Sequence, residues 1–390
     1  YKGVASMNIK PIGVEEWLNE LETSAALDIA QSTIASLTTD EILALADDEQ
    51  GGPGMGAKAF YDQLGAKKQN YGWIEGSPAF KQGVAALYQG VGGRGIDPRN
   101  VLQMNGATGA NLAVLYTLVN PGDHVVAEYP TYQPLYEIPR ALGAKVDLWR
   151  IYEEDGWQPR IEELERLVNR DTKLICINNA SNPTGTVLSR DQLEAIAQIA
   201  RSVGAYVLSD EVYLPLEDAG SYCSIVDVYE RGIATNSLSK TYSVPGVRIG
   251  WTVCDAELAD RLRTCRDYSL ICAGVFSDAM AVHVLRHREQ ILARNRDIML
   301  RNRAIVQEWI DGEPRASWVP PRGVSTSFIR LDLPMDDEAF CRKLLAVRGV
   351  LLVPGSRFEL PCGARLGYCA QEETLRRGLD ELSCALRELD

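Results

Sequence analysis

A lysine becomes nucleophilic near neutral pH only where its surroundings lower its pKa, and Lys240 sits in such company. Ser237-Leu238-Ser239-Lys240 follows an apolar run, and Arg248 comes shortly after it. Two hydroxyls and an arginine are what phosphate binding beside an imine-forming amine needs: hydroxyls donate, and arginine offers a bidentate fork. Upstream, Ala205-Tyr206-Val207-Leu208-Ser209 runs into Asp210-Glu211-Val212-Tyr213. A carboxylate at the end of a buried apolar strand is costly unless it faces a cation or donors, and a protonated pyridine nitrogen would serve for Asp210. Surface acids explain many Asp-Glu pairs, but the preceding apolar run argues against that reading.

Three further stretches carry polar residues directly after apolar ones. Asn105-Gly106-Ala107-Thr108-Gly109-Ala110 leads into a helical pattern over 111–118. Small residues opening a helix let backbone N–H groups approach an anion, although a tight strand-to-helix turn explains the glycines equally well. Tyr129-Pro130-Thr131-Tyr132 offers a ring that could stack on a flat heterocycle or pack in the core. In Asn178-Asn179-Ala180-Ser181-Asn182-Pro183-Thr184-Gly185 a sharp turn accounts for Pro and Gly, and Asn182 is left presenting an amide.

The elements that must position these residues follow from hydrophobic periodicity. From about residue 98 to 255, short apolar runs alternate with helical patterns, which predicts parallel strands joined by crossover helices. The expected strands are 125–127, 174–177, 206–208, 233–235 and 249–253. Ser189 with Gln192 makes a capping box, Leu193, Ile196, Ile199 and Ala200 form one face, and Gly204 stops that helix. Residues 256–310 read as mostly helical. Beyond Pro320 come separated strands at 327–331, 350–353 and 365–368, with helices at 336–346 and 372–386, the pattern of a smaller α+β domain. Helices near 14–22 and 39–46 begin the chain and are expected to pack back onto the rest. In an open α/β sheet ligands sit at the carboxyl ends of the strands, where the polar residues above fall.

Composition excludes whole classes of function. With 390 residues, 46% of them hydrophobic, the chain can bury one large core and a smaller one. A net charge of −13 with no Lys/Arg run argues against nucleic acid. No apolar stretch reaches the roughly 18 residues needed to span a bilayer, and no leader pattern opens the sequence, so a cytoplasmic protein is expected. The nine cysteines contain no C-x-x-C pair and read as free thiols. His283 and His287 could form an i,i+4 metal pair, but no third ligand is evident, so a solvated helix face and no metal site are expected.

Taken together, Gly106-Ala107-Thr108-Gly109-Ala110, Pro130-Thr131-Tyr132, Ser181-Asn182-Pro183-Thr184-Gly185, Asp210-Glu211-Val212-Tyr213, the 237–251 stretch and Arg365-Leu366-Gly367 resemble the class I/II aminotransferases of the fold-type I pyridoxal-phosphate superfamily. The resemblance spans about residues 70–385. It implies an α/β fold: a large domain with a mostly parallel seven-stranded sheet between helices, plus a smaller α+β domain. The corresponding divisions are an N-terminal segment (1–45), a cofactor-binding domain (46–285) and a small C-terminal domain (286–390). It implies pyridoxal 5'-phosphate as cofactor, with Lys240 as the Schiff-base lysine and proton shuttle and Asp210 on the pyridine nitrogen. Tyr213 and Asn182 would bond the ring's phenolate oxygen, and Tyr132 would stack on the ring. Ala107 and Thr108, Ser237, Ser239 and Arg248 would take the phosphate. Arg365 would clamp the substrate α-carboxylate with Asn182 assisting, and Tyr71 would reach the phosphate of a neighbouring subunit, hence a homodimer.

One departure bears on the reaction. The Gly-rich turn followed by Pro that usually closes over the substrate is absent, and the chain reads Leu27-Asp28-Ile29-Ala30-Gln31-Ser32-Thr33 instead. That start resembles the branch containing capreomycidine synthase, whose members can carry out β-elimination or replacement. Transamination between an L-amino acid and a 2-oxo acid is the expected reaction, and a lyase or cyclase the alternative. A non-catalytic binding protein on the same fold is a third reading, opposed by the presence of Lys240, Asp210 and Arg365 together.

Overall fold

In a computed structural model of the chain, which describes residues 8–45, 56–218, 220 and 222–389, the apolar runs become the interior of one large sheet. The strands in chain order are β1 (Leu27–Asp28), β2 (Val101–Met104), β3 (His124–Tyr129), β4 (Lys145–Arg150), β5 (Thr172–Asn178), β6 (Tyr206–Asp210), β7 (Gly232–Ser237), β8 (Gly250–Val253), β9 (Ala316–Trp318), β10 (Ser327–Leu331), β11 (Val350–Leu351), β12 (Val353–Pro354) and β13 (Gly363–Leu366). The seven-stranded sheet has the order β2-β8-β7-β6-β5-β3-β4. Strands β3 to β7 are parallel, and β3, β5, β6 and β7 are buried on both faces, as expected of runs such as Leu174-Ile175-Cys176-Ile177.

Three features depart from the sequence reading. Strand β8, expected to be parallel like the rest, runs antiparallel to both β2 and β7. The loop between Ser237 and Gly250 holds only a short turn at Pro245–Val247, too little for the crossover helix a parallel return requires. Strand β4 was not anticipated, because Lys145-Val146-Asp147-Leu148-Trp149-Arg150 is an edge strand whose residues alternate exposed and half-buried until Trp149. The expected 350–353 strand also divides: β11 pairs with β1, and β12 pairs with β13 in a separate four-stranded antiparallel sheet.

Local signals hold elsewhere. The Arg190–Val203 helix starts at the Ser189/Gln192 capping box and ends at Gly204 with a φ of 73°. The Ala256–Arg266 helix is capped by Asp255, and Val275–Arg286 and Arg288–Gly312 complete the helical stretch. The expected 39–46 helix is seen as Thr39–Leu43, and residue 46 lies outside the described residues. The Gly13–Leu21 helix buries Val14 and Trp17 in a core shared with Leu344, Val350 and Leu379, and Trp17 Nε1 donates to the Leu352 carbonyl at 2.8 Å.

The histidine pair corrects an expectation. His283 and His287 are buried rather than on a solvated face: His283 Nε2 lies 2.9 Å from the Ile42 carbonyl, and His287 Nδ1 lies 2.9 Å from the His283 carbonyl. Packing of the Val275–Arg286 helix against the Thr39–Leu43 segment covers that face.

Candidate active site

The carboxyl ends of β5, β6 and β7 open onto a cavity of about 760 Å³. Strand β6 carries the buried Asp210 into it. Asn111, on the Gly106–Leu118 helix, donates from Nδ2 to Asp210 Oδ2 at 2.6 Å, and Thr235 of β7 donates to Asn111 Oδ1 at 2.6 Å. The Val212 N–H donates to Asp210 Oδ1 at 3.2 Å. Burial pushes the Asp210 carboxyl up to about 6, and the Asn111 and Val212 donors limit that rise.

The antiparallel return from β7 to β8 gathers Ser237, Ser239, Lys240 and Arg248 on one loop at the cavity, with Arg248 in the left-handed region at a φ of 56°. Burial brings the Lys240 ammonium down to about 8, helped by the positive charges of Arg365 and Arg248 and opposed by Glu15 and Glu22. Its amine lies 3.5 Å from Thr33 Oγ1.

The Gly106–Leu118 helix aims its N-terminus at this loop. Gly106 has a φ of +69°, and a Cβ there would stand 2.9 Å from Arg248 Nη2. A Cβ on Gly250 would stand 2.4 Å from the Gly106 carbonyl carbon and 2.8 Å from the Ala107 nitrogen. Glycine at both positions therefore lets the helix start, β8 and the guanidinium converge into a cradle of donors, where the helix dipole also favours an anion. The Thr108 and Tyr132 hydroxyls lie 3.3 Å apart at its edge.

On the other wall β13 presents Arg365, 3% exposed. Its Nη2 donates to the Ala30 carbonyl at 2.9 Å and its Nη1 to Asn182 Oδ1 at 3.3 Å, while Nε has no partner among the described residues. No ion pair among the described residues involves it. A buried guanidinium without a carboxylate calls for a ligand carboxylate to complete it. Tyr213 donates to Ser32 Oγ at 2.7 Å, and burial pushes its hydroxyl up to about 12.

Every residue to which the resemblance gives a site role lines this cavity except Tyr71, which is 82% exposed and is not part of its lining. Sequence reasoning missed Asn111, whose signal was a lone amide among the apolar residues of its helix, and Ser32 and Thr33, which carry no motif. It also missed Glu15, Leu18 and Glu22, whose i, i+3, i+7 spacing marks one helix face. The donor set fits a phosphorylated pyridine carbonyl compound. An anion cradle, a carboxyl that a cation would ionise, an amine of lowered pKa and an aromatic ring share one cavity.

The model of the aminotransferase class I and II family matches residues 50–382. Arginine–pyruvate transaminase of Pseudomonas aeruginosa is 29% identical over 378 residues, 94% of this chain and 95% of that protein. Capreomycidine synthase of Streptomyces vinaceus is 29% identical over 373 residues, 95% of this chain and 92% of that protein. Among solved structures, a PLP-dependent aminotransferase from Streptococcus suis superposes with a TM-score of 0.92 at 52% identity, covering 98% of this chain and 99% of that one.

Proposed function

This chain belongs to the class I and II aminotransferase family, and on that premise we propose how its residues share the reaction. It is a pyridoxal-phosphate-dependent aminotransferase, and an L-amino acid and a 2-oxo acid are its substrate classes. The bound cofactor supplies an electron sink that lets the substrate's α-carbon give up its proton.

Lys240 would hold the cofactor through its amine and, once displaced, move the proton at the substrate α-carbon. Its lowered pKa supports that role, because a neutral amine is both nucleophile and base. Asp210 would keep the ring nitrogen protonated, with Asn111 and Thr235 fixing its orientation. Ala107, Thr108, Ser237, Ser239 and Arg248 would hold the phosphate, Tyr132 would stack on the ring, and Tyr213 with Asn182 would bond its phenolate oxygen. Arg365 would clamp the substrate α-carboxylate, with the Asn182 amide beside it. Tyr71 would serve the partner's cavity in a homodimer. No helix among the described residues is long and apolar enough to cross a membrane, which agrees with a cytoplasmic location. The division into 1–45, 46–285 and 286–390 draws support only for the separation of the large from the small domain, whose sheets have separate cores; the N-terminal segment contributes Ile42 and Leu43 to one and Val14, Trp17 and Ile29 to the other.

The observation that carries this reading is the buried Arg365, without a carboxylate of its own, in one cavity with a lysine of lowered pKa. Its test is the visible absorption of the purified protein and of the Lys240→Ala variant, before and after adding amino acids. An absorption present in the parent, absent in the variant and bleached as a keto acid is released is the expected result. No such absorption after cofactor is supplied would refute it. The capreomycidine synthase relative favours one second reading, elimination or replacement at the β-carbon. Release of ammonia, thiol or a cyclised product without keto acid would select it.

A further inference from the structure

We infer that the cavity selects amino acids whose side chain ends in a positive charge, a guanidinium or an ammonium group, and that Glu15 and Glu22 make the selection. The inference rests on the aminotransferase reading and deepens it. The Gly13–Leu21 helix and the turn Glu22–Ser24 that follows it form one wall. Val14 and Trp17 anchor the helix in the core, so the face carrying Glu15, Leu18 and Glu22 is turned to the cavity, and all three line it.

Charge bookkeeping across the cavity leaves these two carboxylates over. Of the cations lining it, Arg248 belongs to the phosphate cradle and Arg365 to the α-carboxylate, and Lys240 works as the neutral amine. Asp210 is assigned to the ring nitrogen. The neighbouring acids on the same helix are already paired: Glu16 lies 2.7 Å from Arg357 and Glu20 lies 2.8 Å from Arg342. Glu15 and Glu22 take part in no ion pair among the described residues, and Glu22 accepts only a hydrogen bond from Gln31 Nε2 at 2.5 Å. Both are exposed at the mouth, where a substrate side chain arrives.

Their charges reach the reacting end. Both raise the affinity of Lys240 for its proton, and Glu15 also bears on Tyr132, Tyr213 and Arg365. The Nε of Arg365, buried and without a partner among the described residues, fixes where the α-carboxylate docks. The wall left for the side chain is apolar at Ile12 and Leu18 and acidic at Glu15 and Glu22. An apolar stem ending in a cationic head matches that wall, whereas a distal carboxylate would be repelled by it.

The test is single-turnover kinetics of the holoenzyme with L-arginine against L-citrulline, its uncharged near-isostere, and with L-lysine against L-norleucine. The arginine and lysine arms separate a guanidinium from an ammonium specificity. A preference for at least one cation of about tenfold or more over its neutral counterpart is expected, expressed mainly in the apparent dissociation constant. That ratio is expected to fall toward one in the Glu15→Gln/Glu22→Gln double variant. Equal reaction of charged and neutral members of both pairs, or a preference that survives in the double variant, overturns the inference while leaving the aminotransferase reading intact. If no amino acid of either charge alters the Lys240-dependent absorption, both fall together.

Discussion

Asp210, Glu211 and Glu128 are three carboxyl groups sealed inside the large sheet, and each meets donors rather than a cation. Glu211 accepts from Ser224 Oγ at 2.9 Å and from the Ile225 N–H at 3.1 Å, and Glu128 accepts from the Asn178 N–H at 3.1 Å. Burial raises Asp210 to about 6, Glu128 to about 7 and Glu211 to about 8. A carboxyl whose folded-state pKa lies above its unfolded value keeps its proton longer in the native state. Its contribution is therefore fully present below the ordinary carboxylate range and is lost as pH rises through the folded pKa. For the cofactor-free protein, stability is expected to fall between pH 5.5 and 8.5, at about 1.4 kcal/mol per proton and pH unit. Urea titration at both pH values checks this, and Glu211→Gln, which removes the highest of the three titrations, is expected to flatten the dependence most. A midpoint that does not move would mean these acids ionise with compensation the fold does not display. At this scale the sequence spoke where a charged residue ended an apolar run, as at Asp210, and where a lysine stood among hydroxyls, as at Lys240. It was silent at Asn111 and Ser32, because one amide on a helix and one serine in a loop gain meaning only from the strand end that folding places against them.

Strand ends were legible because β5, β6 and β7 are buried on both faces and contain short apolar runs, and the polar residues that close them, Asn178, Asp210 and Ser237, fall at the edge of the cavity. The edge strand β4 and the reversed β8 were not, since one alternates in exposure and the other owes its direction to the loop before it. That reversal matters to the site: β8 returns beneath the start of the Gly106–Leu118 helix, and Gly250 is where the two backbones meet. A Cβ at Gly250 would lie 2.4 Å from the Gly106 carbonyl carbon and 2.7 Å from the Asn236 carbonyl oxygen, both backbone atoms that no rotamer change can move aside. Gly250→Ala is expected to destabilise the protein by about 2 kcal/mol or more and to weaken cofactor retention, because relieving the overlap displaces the helix N-terminus from Arg248. Gly246→Ala on the same loop meets nothing within 4 Å and is expected to change the urea midpoint by less than about 0.5 kcal/mol. Equal behaviour of the two variants, in stability and in cofactor binding, would mean the close approach does not shape the cradle.

At the scale of the whole molecule the most conspicuous surface is aromatic. Tyr71, Trp73 and Tyr268 are 82%, 60% and 94% exposed, with Ile74, Ile271 and Phe276 also exposed around them. The two segments that carry them touch: the Gly72 N–H lies 3.2 Å from Cys272 Sγ, and a Cβ on Gly72 would lie 3.1 Å from the Ala273 carbonyl. Large apolar side chains gathered on one face of a protein with net charge −13 mark an interaction surface, and a second copy of this chain is the partner the homodimer reading supplies. In the proposed homodimer Tyr71 would tie that surface to catalysis, since it does not line its own cavity and would reach the partner's phosphate. Association and cofactor binding should then be coupled. Sedimentation equilibrium is expected to give a dimer for the parent and a monomer for the Tyr268→Asp/Ile271→Asp variant, with cofactor affinity at least about tenfold lower in the monomer, roughly 1.4 kcal/mol. Tyr71→Phe separates the two effects: the dimer should persist while cofactor affinity falls. A monomeric variant that binds cofactor as tightly as the parent would show that each cavity is complete within one chain.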